Sequence, residues 1–199
     1  MRQPIEAVIF DLGRVLIHID PDPLRKKLNT SGDGDLIEKV RENALIPQLN
    51  AGRITPEQFH RQLCEQFNFH WSFQTFTEAW CSIFLPNPEM EALVRNLHGR
   101  VPLGLLSDTD PQHWTYIQRH YPIVKIFENP VLSFRLGVCK PDPAMYRAAA
   151  ESVGKAPSQC FYTDDLPENV EGARKAGMTA VVFENADQIR RELSDLGLL

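Results

Sequence analysis

The chain has 199 residues, of which 43% are hydrophobic and 24% charged, with a formal net charge of −5. This is an ordinary globular balance with enough apolar mass for a sizeable core. The acidic excess argues against a nucleic-acid partner, and no apolar stretch reaches the length needed to span a membrane. Cys64, Cys81, Cys139 and Cys160 show neither Cys-x-x-Cys spacing nor a Cys/His cluster, so they read as buried free thiols of a reducing compartment. Met1-Arg2-Gln3-Pro4 is too short to be a leader before the first apolar run, and the expectation is a soluble cytoplasmic protein.

In chain order, Ile5 to Phe10 reads as a short apolar strand, followed by a turn at Asp11-Leu12-Gly13-Arg14 and an apolar Val15-Leu16-Ile17. His18 to Pro23 holds two prolines and reads as a linker. No convincing strand is expected from Leu24 to about Leu85. Asp35 to Ile46 has helical composition. Thr55-Pro56-Glu57-Gln58 is a helix start with a Thr cap, Pro in the first turn and Gln reaching back. Trp71 to Phe84 is rich in aromatics and reads as another helix, and Pro86-Asn87-Pro88 closes an all-helical insert.

The pattern then alternates. Helices are expected at Glu89 to His98, Asp110 to His120, Asp142 to Gly154, Pro167 to Ala176 and Asp187 to Leu196, with glycines as stops. Strands are expected at Val101 to Leu106, Val131 to Ser133, Cys160 to Thr163 and Thr179 to Phe183. Such alternation predicts an α/β fold with a doubly wound parallel sheet. Residues 1–17 and 87–199 would form the α/β core, and residues 18–86 a separate helical domain.

Parallel sheets of this kind bind ligands beyond the carboxyl ends of their strands. Those positions hold Asp11, Ser107-Asp108 and Asp164-Asp165, with Lys140 on a loop after the Val131 strand. Clustered carboxylates repel one another unless a cation lies among them. Mg²⁺ prefers hard oxygen ligands and commonly works beside phosphate, and lysine and hydroxyl donors complement phosphate oxygens. The residues point to metal-assisted phosphoryl transfer on a small phosphorylated substrate. Asp110 and Asp142, each before a proline, read as helix caps, and Asn169 as a residue that orients a neighbour.

Phe10-Asp11-Leu12-Gly13-Arg14-Val15-Leu16 resembles the first motif of the haloacid dehalogenase-like (HAD) superfamily. Leu105-Leu106-Ser107-Asp108-Thr109 resembles the second, and Gly137-Val138-Cys139-Lys140-Pro141-Asp142-Pro143 with Tyr146 the third. Phe161-Tyr162-Thr163-Asp164-Asp165, with Asn169 and Gly172 to Gly177, resembles the fourth. The four occur in order and cover most of the chain outside the insert, which lies where the family's type 1 helical cap goes. Within the superfamily the chain is similar to the α-glucose-1-phosphate phosphatase group and to the phosphatase domain of soluble epoxide hydrolases.

The resemblance implies a Rossmann-like core and a Mg²⁺-dependent phosphoric monoester hydrolase. Asp11 would attack phosphorus and form an aspartyl-phosphate. Ser107, Asp108 and the backbone near them would bind phosphoryl oxygens, and Lys140 would neutralise phosphate and Asp11. Mg²⁺ would be held by Asp11, the Gly13 carbonyl and Asp165, with Asp164 acting directly or through water. Two positions depart from the pattern. Gly13 stands where most members carry a second Asp that protonates the leaving oxygen, which implies a bias towards good leaving groups such as a sugar anomeric oxygen. Asp108 stands where the related group often has Asn. Two alternatives stay open: a dehalogenase using the same nucleophile, against which the Asp164-Asp165 pair speaks, and a degenerate member that binds a phosphorylated ligand or a protein without turnover.

Overall fold

A computed structural model describes residues 4–28, 39–40, 43–68 and 70–199. Its centre is a five-stranded sheet built from β1 (Ala7–Phe10), β4 (Leu103–Ser107), β5 (Val131–Leu132), β6 (Cys160–Asp164) and β7 (Thr179–Val182), in the order β5-β4-β1-β6-β7. Every neighbouring pair in it is parallel. All four residues of β1 are fully buried, as expected for a central strand covered on both faces.

Alternate residues of β1 feed opposite cores. Val8 and Phe10 pack with α5 (Pro88–Leu97), α6 (Pro111–His120) and α10 (Ala186–Asp195). Ala7 and Ile9 pack with α8 (Pro143–Ser152) and α9 (Pro167–Lys175). The α8–α9 approach requires Gly172, because a Cβ there would lie 2.7 Å from the Tyr146 hydroxyl and 2.8 Å from Pro141 Cβ.

The register aligns the strand ends. Phe10 pairs with Leu105 on one side and Thr163 on the other, so Asp11, Ser107 and Asp164 all emerge at the same edge of the sheet. Asp110 and Asp142 cap α6 and α8 with their side chains, and both helices carry proline in the first turn, as their Asp-Pro pairs predict.

Between β1 and α5 lie α1 (Asp22–Leu28), α2 (Leu45–Asn50), α3 (Pro56–Phe67) and α4 (Phe73–Trp80), then a 3₁₀ turn at Cys81–Ile83. They share a core that includes Leu49, Phe59, Leu63, Phe76 and Trp80. The Thr55/Gln58 capping box at the start of α3 is present on both sides.

Three local expectations need correction. The expected linker from His18 to Pro23 contains the end of β2 (Ile17–Ile19) and the start of α1, whose Asp22 N–H donates to Asp20 Oδ1 at 3.0 Å. Phe84 belongs not to a helix but to β3 (Phe84–Pro86), which pairs antiparallel with β2. Ser133 leaves the expected Val131 strand and opens the short α7 (Ser133–Leu136). Pairing between segments so far apart in sequence leaves no local signal, and strands this short carry almost no period. Half of the expected helix from Asp35 to Ile46 lies outside the described residues.

Candidate active site

Asp11 leaves β1 with its N–H donating to the Thr163 carbonyl at 3.0 Å. This extends the β1–β6 ladder by one residue and sets the carboxyl beside Asp164. Lys140 arrives from the loop between α7 and α8. That loop is pinned by its own backbone, since the Lys140 N–H donates to Asp108 Oδ1 at 3.0 Å. The buried Lys140 Nζ then donates to Asp11 Oδ1 and Asp164 Oδ2, each at 2.6 Å, and to the Tyr162 hydroxyl at 3.3 Å.

Asp164 is fully buried and held from four directions. Beyond Lys140, it accepts from the Tyr162 hydroxyl in a short bond, and its Oδ1 accepts from Leu166 N and Asn169 Nδ2, both at 2.9 Å. Asn169 thus orients a neighbouring carboxylate, as its position suggests. Asp165 lies further out, with its side chain 20% exposed, and meets Arg14 Nη1 at 3.4 Å. Asp11, Asp164 and Asp165 each present an oxygen within 4.8 Å of the other two.

The electrostatics follow from this crowding. Burial pushes the Asp11 carboxyl up to about 7 even though Lys140 pulls it down. For Asp164 burial also pushes upward, but the Lys140 ammonium and the hydrogen bonds it accepts outweigh that, and it ends below the usual carboxylate range. Asp165 is raised, first by burial and then by the charge of Asp164. Burial works to lower Lys140, yet Asp11, Tyr162, Asp164 and Asp108 together hold it well above its ordinary value. The site keeps one buried cation for several acids. Its hard oxygen donors and surplus negative charge suit a divalent ion of the Mg²⁺ kind.

Of the residues singled out from sequence, Asp11, Lys140, Asp164 and Asp165 come together directly. Asp108 touches Lys140 through its backbone and is raised, by burial above all. Ser107 is buried at the end of β4. Gly13 sits in the turn after Asp11, and a Cβ there would meet only the flexible end of Ile19, at 3.0 Å. Sequence reasoning missed Tyr162, whose alternation along β6 marks it as a core residue and conceals its polar tip. It also missed Arg14, which is paired with a residue 151 positions away.

An aspartate at the end of the first strand, a buried lysine and an acidic pair thus meet at one edge of the parallel sheet. The chain belongs to the haloacid dehalogenase-like hydrolases, whose family model matches residues 5–177. It is 23% identical over 201 aligned positions to the D-ribitol-5-phosphate phosphatase of Bacteroides thetaiotaomicron, covering 96% of this chain and 97% of that one. It is 28% identical over 108 positions to the fructose-1-phosphate phosphatase of Escherichia coli, covering 53% and 57% of the two chains. A HAD family enzyme of Bacteroides thetaiotaomicron, crystallised with magnesium and inorganic phosphate, superposes with a TM-score of 0.79 at 26% identity over 91% of this chain and 95% of that one. Among the described residues no helix is long and apolar enough to cross a membrane.

Proposed function

We propose that this hydrolase is a Mg²⁺-dependent phosphatase of a small phosphorylated metabolite, a sugar phosphate being the favoured class, working through an aspartyl-phosphate on Asp11. The observation that carries the reading is the Lys140 ammonium bonded at once to Asp11 and Asp164 within a triad of carboxylates. An Asp11 oxygen forms a bond to phosphorus as the bond to the leaving oxygen breaks, and water then releases phosphate and restores the carboxylate. Lys140 holds Asp11 in position and offsets the charge of the incoming ester. Ser107 and the backbone around it receive the phosphoryl oxygens, with Asp108 fixing the Lys140 loop beside them.

Asp11, the Gly13 carbonyl and Asp165 would hold Mg²⁺, which supplies further neutralisation of phosphate charge. Asp165, with its long contact to Arg14, suits direct binding, whereas Asp164 is already committed to four donors. Gly13 has no proton to give, and general acid help is worth roughly 10²–10⁴-fold. Esters with good leaving groups are therefore favoured. Residues 18–86 act as the cap and the remainder as the catalytic core. The four unpaired cysteines support a reducing, cytoplasmic setting.

The test is turnover of para-nitrophenyl phosphate and a panel of sugar phosphates with Mg²⁺, with Asp11→Asn as control. Phosphate release that is lost in the variant and greater from sugar 1-phosphates than 6-phosphates supports the reading. Halide release from 2-chloropropionate in place of phosphate release would move the chain to the dehalogenase branch, and neither activity would leave a binding protein.

A further inference from the structure

Arg14 is held in a backbone conformation that side chains disfavour. Its φ is +61°, in the left-handed region, which costs a residue with a Cβ about 1–3 kcal/mol. The turn is fixed, since the Arg14 N–H donates to the Ile17 carbonyl at 2.7 Å. From it the guanidinium reaches Asp165 Oδ2 at 3.4 Å, with the arginine side chain 49% exposed. Charged N–H···O bonds are usually about 2.7–2.9 Å long, so this pair is loose.

Asp165 is the most exposed of the three carboxylates, so Arg14 places a cation on their solvent side. Lys140 cannot serve there, because it is buried and bonded to Asp11 and Asp164. The insert closes on α7, which leads into the loop that carries Lys140, for Gly52 is pressed against the Phe134 carbonyl, where a Cβ would sit at 2.5 Å.

We propose that Arg14 is a specificity residue that recognises a carboxylate on the leaving-group side of the substrate, so that among esters with good leaving groups the preferred ones carry a carboxylate, as the 1-phosphates of sugar acids do. The inference rests on the site being one for phosphate esters. Asp11, the Gly13 carbonyl and Asp165 would hold a divalent ion, and the ion would supply positive charge in competition with Arg14 for Asp165. The planar fork, already presented to a carboxylate, then accepts that of the substrate in the same geometry.

The test is calorimetric binding to the Asp11→Asn protein in Mg²⁺, using 2-phospholactate and isopropyl phosphate, which differ by a carboxylate in place of a methyl group. Phospholactate is expected to bind at least about tenfold tighter, as for one charged hydrogen-bonded pair. Adding Arg14→Gln is expected to bring the ratio below about threefold, with Arg14→Lys between, because a lysine keeps the charge and loses the fork. Equal affinities, no binding of either ligand, or a preference that survives Arg14→Gln would overturn the assignment. So would tighter Mg²⁺ binding in Arg14→Gln with an unchanged ratio, which would make Arg14 only a counter-ion to Asp165. Turnover of para-nitrophenyl phosphate by the unmodified protein judges the phosphatase reading separately. The carboxylate preference without turnover refutes that reading and upholds Arg14, and turnover without the preference does the reverse.

Discussion

Asp110 ties the helical insert to the loop that follows β4, and its removal should be among the most damaging single changes in the chain. It is fully buried. Its Oδ1 caps α6 by accepting from Gln112 N at 2.8 Å and His113 N at 3.0 Å. Its Oδ2 accepts from Trp80 Nε1 at 3.1 Å and meets His113 Nδ1 at 2.9 Å. The His113 ring stacks on Trp80 at 4.9 Å, and its Nε2 lies 3.0 Å from the Trp80 carbonyl. Asp110→Ala therefore loses a helix cap, worth about 1 kcal/mol, and takes a charged acceptor from the buried Trp80 indole and His113 ring, at about 1.5–3 kcal/mol for each hydrogen bond. The two losses overlap, and about 4 kcal/mol is expected in all. Asp110→Asn keeps an oxygen for the cap but sets an amide against the imidazole and indole N–H groups, for a loss of about 2 kcal/mol. In urea, with a slope near 2 kcal/mol per molar, the midpoints should fall by roughly 2 M and 1 M. The Asp110 carboxyl titrates below its usual range, because His113 outweighs the upward push of burial. Its contribution is therefore complete above the unfolded value, about 3.9, and is lost as pH falls through the lower folded value. The gap between unmodified protein and Asp110→Ala should narrow in acid. A loss under about 1 kcal/mol for alanine, equal losses for Ala and Asn, or a gap that widens in acid would refute the reasoning.

Lys140→Met should lower stability by about 3–5 kcal/mol in EDTA, because it strands two buried carboxylates. Mg²⁺ should recover much of that through binding to the folded state alone, and thermal melts with and without the ion check it. Asp165→Asn should weaken Mg²⁺ affinity by calorimetry more than it weakens folding, since the side chain is partly exposed and loosely paired. Gly13→Asp should fold normally, as the new Cβ presses only on the movable end of Ile19. It should raise turnover of simple alkyl phosphates by up to about 10²-fold, with little gain on para-nitrophenyl phosphate; equal gains on both would count against a missing proton donor.

The sheet was legible because each of its strands is a short apolar run with a helix behind it, and the candidate site residues because parallel strands deliver whatever follows them to one edge. Asp11, Ser107 and Asp164 are of that kind. Lys140 was found through its motif alone, since its position depends on a loop held by Asp108. The pairing of β2 with β3, the hydroxyl of Tyr162 on Asp164, the reach of Arg14 to Asp165 and the Trp80–Asp110–His113 cluster were not legible. Three of these join side chains or strands distant in sequence, and no local period encodes such contacts; Tyr162 and Asp164 are only two residues apart, but a tyrosine within an apolar strand reads as core. His113 in particular reads as one polar residue on an amphipathic helix until Trp80 is packed against it.

The chemistry assigned to Asp11 can be observed directly. In a single turnover of a good phosphate ester with Mg²⁺, quenched in acid and digested, mass spectrometry should find a phosphoryl group on the peptide containing Asp11 and none in Asp11→Asn. Phosphate released at full rate with no adduct at any time point, or an adduct on another peptide, would contradict the account.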